Sequence, residues 1–177
     1  VLSRLVDGDP LEIEARCLEE LREQAFLLCV SRVHLRSVAR IAHAAMRYRG
    51  EPALDVWLKE RVEHSIKELL EEDREEERVG VPPSQPWDPR YAFVSEALGI
   101  EPTLARRACV AFNLLPHEVR CAYYAVVVDG KTIHRYVAEG HGPPDRARSH
   151  LKLALRTLGK AIGRSWPASE GVDGDGE

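Results

Sequence analysis

Apolar residues recur every three or four positions along most of this chain, the period of amphipathic helices rather than strands. Asp9 is placed to cap a first helix with Pro10 at its opening position. Leu11, Leu18, Leu21, Ala25 and Leu28 follow at helical spacing. A second helix is predicted from Leu35 to Met46, with Leu35, Val38, Ala42, Ala45 and Met46 as its apolar stripe. Arg47-Tyr48-Arg49-Gly50 breaks that pattern, and Glu51-Pro52 opens a third helix along Leu54, Trp57, Leu58, Val62, Ile66, Leu69 and Leu70. The third helix runs into a Glu/Arg stretch ending near Arg78, which reads as a solvated helix end with ion pairs one turn apart.

The pattern then stops. Residues 79–90, VGVPPSQPWDPR, contain four prolines and a glycine, a composition suited to an extended linker. Helical spacing returns from Thr103 to Leu115, and Pro116 opens another helix. The stretch from Tyr123 to Val137, YYAVVVDGKTIHRYV, supports two readings. Asp129-Gly130 between β-branched runs is a hairpin signal. Ile133 and Val137, four apart and followed by Glu139-Gly140, instead suit a helix, a glycine turn and a second helix. Pro143 and Pro144 begin a final helix with Ala147, Leu151, Ala154, Leu155, Leu158 and Ile162 on one side. Arg148, Lys152 and Arg156 stand one turn apart on the other. The predicted organisation is all-α: a helical domain over 1–78, a Pro-rich linker over 79–100, a second helical domain over 101–164 and a disordered acidic tail over 165–177.

Composition narrows the class. Hydrophobic residues make up 44% and charged residues 31% of 177 positions, which suits a globular chain. No apolar run is long enough to span a bilayer, so no membrane partner and a cytoplasmic location are expected. Cys17, Cys29, Cys109 and Cys121 lie far apart in apolar helical patterns and read as buried free thiols. The seven histidines show no ligand spacing, so no metal or other cofactor is called for. The sequence carries no phosphate-binding glycine loop and no nucleophile elbow. Glu68, Glu71, Glu72 and Glu75 read as a solvated face rather than a carboxylate site. An enzyme is not expected.

Net charge is −4, but its distribution is uneven. Between Glu60 and Arg78 nine acids face four bases, whereas between His141 and Arg164 six bases face one acid, Asp145. A basic C-terminal helix with its charge on one side suits a polyanionic partner.

The segments LLPHEVR, DGKTIHRYVAEG and PPDRARSHLKLALRTL together resemble region 4 of bacterial sigma factors. The match lies in Leu115, Pro116, Arg120, Gly130, Ala138, Leu151, Ala154 and Leu158. YRGEPALDVWLKERVEHSIKELLEEDREEER is similar to region 2 of the small extracytoplasmic-function sigma factors, through Gly50-Glu51, Trp57-Leu58 and the charged end. The resemblance covers Leu18 to Leu158. It implies a region 2-like bundle that binds the RNA polymerase core at its clamp and melts the −10 element. It also implies a region 4-like helix-turn-helix that reads the −35 element of double-stranded promoter DNA. On that helix-turn-helix, Arg146, Arg148, Ser149, His150, Lys152 and Arg156 are candidate DNA contacts from the last helix. Lys131, Thr132 and Arg135 would hold the phosphate backbone from the preceding one.

Two features depart from the family pattern. Arg32, Arg36 and Arg40 stand where acids are expected on the clamp-binding helix, and the end of the next helix is acidic where a promoter-facing surface is basic. A degenerate sigma paralogue, acting by protein contact with an anti-sigma factor or another transcription regulator, is the alternative expectation.

Overall fold

The computed structural model describes residue 9, residues 11–80 and residues 89–163, and every regular element among them is helical. The all-α expectation holds. In chain order these are α1 (Ile13–Glu23), α2 (Val30–Ala45), α3 (Leu54–Val79), α4 (Ala92–Leu98), α5 (Pro102–Asn113), α6 (His117–Tyr123), α7 (Ile133–Ala138) and α8 (Pro144–Ala161). A 3-10 turn, Pro89–Tyr91, precedes α4, and a π-helical turn, Tyr124–Val128, extends α6. None of the described helices is long and apolar enough to cross a membrane.

Asp9 is not the N-cap residue: α1 opens at Ile13 behind Glu12, and Asp9 reaches its first turn from outside. Its carboxylate accepts the backbone N–H groups of Ile13 and Glu14, both at 2.7 Å. Pro10, the predicted first helical residue, lies outside the described residues. The helix also ends sooner than its apolar pattern suggests. Ala25 adopts φ 50°, left-handed for a residue with a side chain, and turns the chain after Glu23. Ala25 and Leu28 are buried from this connector rather than from the helix.

The predicted stripe of α2 is corrected. Val33, Ser37 and Ile41 are buried, while Leu35 is 72% and Met46 80% exposed. The helix is apolar on both flanks, so spacing alone could not choose its inward side; packing against α1 and α3 chose it. On α3 the predicted positions hold: Trp57, Leu58, Val62, Ile66 and Leu69 are buried, with Ile13, Cys17 and Leu21 of α1, in an N-terminal apolar core.

A second core gathers Tyr91, Val94, Ile100, Ala105, Cys109, Phe112, Leu115 and Val119 with Leu151, Ala154, Leu158 and Ile162 of α8. The predicted linker is therefore too long: Tyr91 is buried and 92–98 is helical. Residues 81–88, the rest of the proline-rich stretch, lie outside the described residues, as does the tail from 164 onward.

The hairpin reading of 123–137 is overturned in favour of helix, turn and helix. The π turn closes with Asp129 N–H on the Tyr124 carbonyl at 2.9 Å. Gly130 then reverses the chain at φ 68°, a conformation that costs glycine little. Thr132 starts α7 by accepting the Arg135 N–H at 3.2 Å. Three of the β-branched residues that signalled a strand become half-buried packing instead, Val126 and Ile133 against the second core and Ile133 and Val137 against a cluster of Ala122, Ala125, Tyr136 and Ala147, while Val127 and Val128 are exposed.

The acidic end of α3 is not simply solvated. Glu72 takes Arg36 at 2.8 Å and Arg32 at 3.2 Å, Asp73 takes Arg32 at 2.5 Å, and Glu68 pairs with Arg40. Asp73 is only 3% exposed. Burial pushes its carboxyl above the ordinary range, with Arg32 opposing. The arginines of α2 are thus the internal counter-charges of α3.

Candidate nucleic-acid interface

Helices α6, α7 and α8 build the site. Pro144 occupies the first turn of α8, where its missing N–H costs nothing. Ala147, Leu151, Ala154 and Leu158 face inward; the small residues at 147 and 154 let α8 lie close to its neighbours. The turn between α7 and α8 holds Gly140 at φ 94° and Gly142 at φ 91°. Between them His141 stacks on Tyr136 with ring centroids 4.4 Å apart, fixing the turn against α7.

The outer side of α8 carries Arg148, Ser149, Lys152 and Arg156, all exposed, with Lys160 extending the row. Four-residue spacing sets successive cations about 6 Å apart along the axis. Lys152, Arg156 and Lys160 have no ion-pair partner among the described residues. Arg148 is 3.0 Å from Asp145 across one exposed turn, a pair too solvated to hold it against a phosphate.

The remaining predicted residues are placed differently. Arg146 pairs with Glu118 of α6, so it braces α8 against its neighbour. His150 is half-buried. Lys131 is engaged with Glu139 at 2.7 Å and holds that carboxyl below its usual range. Arg135 is exposed and lies 3.5 Å from the same carboxylate. The Thr132 oxygen is used by the α7 cap. The structure therefore brings Arg148, Ser149, Lys152 and Arg156 onto one surface and commits Arg146, Lys131 and Thr132 to internal contacts.

Two surfaces escaped the sequence reading. A cleft of about 570 Å³ opens where α2 ends and α3 begins, lined by Arg36, Arg40, His43, Arg47, Arg61, Tyr48 and Trp57. Tyr48 and Trp57 have ring centroids 4.7 Å apart, and the Arg61 guanidinium lies 5.8 Å from the Trp57 ring centre. Trp57 is only 6% exposed and Arg36 and Arg40 are paired with Glu72 and Glu68, so the cleft presents chiefly Arg47, His43, Glu51 and the half-buried Tyr48. The signal in the sequence is the Arg47-Tyr48-Arg49 run followed by Trp57 and Arg61.

The second surface is the outer face of α2. Leu35, Ala39 and Met46 are exposed there, with Val38, Ala42 and Ala45 half-buried beside them. A contiguous apolar helix face left open to water marks a docking surface.

No protein-family model matches the chain, and no curated protein matches it.

Proposed function

We propose that this chain is a sigma-like transcription initiation factor that reads a promoter element in duplex DNA through α8. The observation that carries the reading is the division of α8 into an apolar side docked on α5 and α6 and a solvent side bearing Arg148, Lys152 and Arg156, directly after the Gly140–Gly142 turn. A helix of this width enters the major groove, where cations reach phosphates and base edges. The acidic end of α3 does not oppose this use of the chain, because its carboxylates are engaged by arginines of α2, α5 and the Pro89–Tyr91 turn. In the same reading the open face of α2 meets the core polymerase. The two helical cores then correspond to region 2-like and region 4-like domains.

Selection from a random duplex library, followed by anisotropy titration, tests it. A sequence preference lost in Arg148→Glu/Lys152→Glu supports the proposal. Equal binding of every duplex by both proteins would sink it.

The exposed Leu35 and Met46 also favour a second reading, a sigma paralogue that acts only by protein contact on an anti-sigma factor or regulator. Purified core polymerase separates the two. Stoichiometric binding abolished by Leu35→Glu argues for initiation, and no binding argues for the paralogue.

A further inference from the structure

We infer that the C-terminal end of α3 is an ionic latch, closing α4–α8 against α1–α3 and releasing them with both apolar cores intact. This inference stands apart from the DNA-binding proposal.

The two cores are separately built. The N-terminal one draws its members from α1, α2, α3 and their connectors, and among the described residues Leu27 is the one hydrophobic side chain of that half grouped with the C-terminal core. The buried apolar residues thus group within each half, although α3 and α5 also lie against one another. What joins them at α3 is charge. Glu76 takes Arg90 at 2.9 and 3.1 Å and lies 3.9 Å from the Arg106 guanidinium. Glu77 takes Arg106 at 3.0 Å with one oxygen and Arg107 at 2.9 Å with the other.

Closure leaves polar groups short of partners. Arg106 is 5% exposed, and its Nη1 has no hydrogen bond. Asp73 Oδ2 and the Tyr91 hydroxyl are buried beside one another, with only each other to turn to. These atoms all lie on the seam between α3 and the segment from Tyr91 to α5, and opening returns water to each of them. The seam is thus held by ion pairs and penalised by desolvation. Such a balance is tipped by modest changes in charge or screening. At about 1 M salt the Debye length falls to about 3 Å, which weakens the exposed Arg107 pair most and the partly buried Arg90 and Arg106 pairs less.

The second attachment is also polar: Arg120 and Asn113 bind backbone groups of Gln24 and Leu27. One ion pair, Arg22 with Asp129 at 3.4 Å, adds to that side, so most but not all of the charge-sensitive contacts lie on the α3 seam.

Small-angle scattering on the whole chain, paired with far-ultraviolet circular dichroism, tests the latch. From about 0.05 M to about 1 M sodium chloride, the radius of gyration is expected to rise by several ångströms at unchanged helicity. Glu76→Gln/Glu77→Gln should show the larger radius already at low salt. The salt arm needs no variant, so a folding defect in the double substitution leaves the test intact. A radius unchanged by salt, with helicity constant and one cooperative melting transition, overturns the latch.

Discussion

Asn113 at the end of α5 binds Leu27 twice: its Oδ1 accepts the Leu27 N–H at 2.8 Å, and its Nδ2 donates to the Leu27 carbonyl at 3.1 Å. A side-chain amide here does what a paired strand would do, satisfying both backbone groups of a residue 86 positions away. Asn113→Asp keeps the shape but sets a carboxylate oxygen against the Leu27 carbonyl. Thermal or urea unfolding should show a loss of about 2 kcal/mol, the scale of an unsatisfied buried polar group. A change below about 0.5 kcal/mol would mean that the pair adds nothing.

Arg120 closes the same seam from α6. Its Nε and Nη2 donate to the Gln24 carbonyl at 3.1 and 3.0 Å, its Nη1 donates to the Leu115 carbonyl at 2.5 Å, and its guanidinium lies 4.2 Å over the Phe26 ring. Arg120→Met retains volume and removes every donor. Chemical denaturation should register a loss of about 3 kcal/mol. Arg120→Lys should recover only part of it, because an ammonium cannot span carbonyls on two sides.

On α8, charge reversal is expected to divide the predicted contacts. Arg148→Glu, Lys152→Glu and Arg156→Glu should each weaken duplex binding and lower the slope of log affinity against log salt by about 1. Arg146→Gln should chiefly lower thermal stability, since its partner is Glu118. Equal effects on the salt slope from all four would contradict the division.

The two sides of α2 should respond oppositely to truncation. Ile41→Ala, in the core, is expected to cost about 2–5 kcal/mol. Leu35→Ser and Met46→Ser should stay within about 0.5 kcal/mol, as substitutions at open surface do. Denaturant midpoints decide it, and a large loss at Leu35 would show that the face is covered in the isolated chain.

Asp73 gives a pH signature. Burial raises its carboxyl above 3.8 despite Arg32. The folded state therefore holds this proton more tightly than the unfolded chain does. Stability must then fall as pH rises from 3.8 through the raised value, and level off above it. Measured against Asp73→Asn, which cannot titrate, the wild-type advantage should shrink over that interval. An advantage that grows with pH would mean that Arg32 outweighs burial.

The sequence by itself determined the elements whose period is unambiguous. The Leu54-to-Leu70 stripe and the Ala147-to-Leu158 stripe each have one apolar side, so burial followed from local spacing. The cationic row on α8 was legible for the same reason, since its residues share a helix. Tertiary structure decided whatever depended on partners distant in sequence. Leu35 and Ile41 lie on different sides of a helix that is apolar on both flanks, and only packing against α1 and α3 buried Ile41. Glu72 and Glu77 looked like solvent-facing charge because Arg36 and Arg107 are 36 and 30 residues away. Tyr48 and Arg61 form one cleft only because the turn after α2 folds back onto α3. The segment from Tyr124 to Lys131 had strand propensity, yet Ala125 and Tyr136 are buried against Ala147 of α8. Packing of that cluster outweighs a local preference worth at most about 1 kcal/mol.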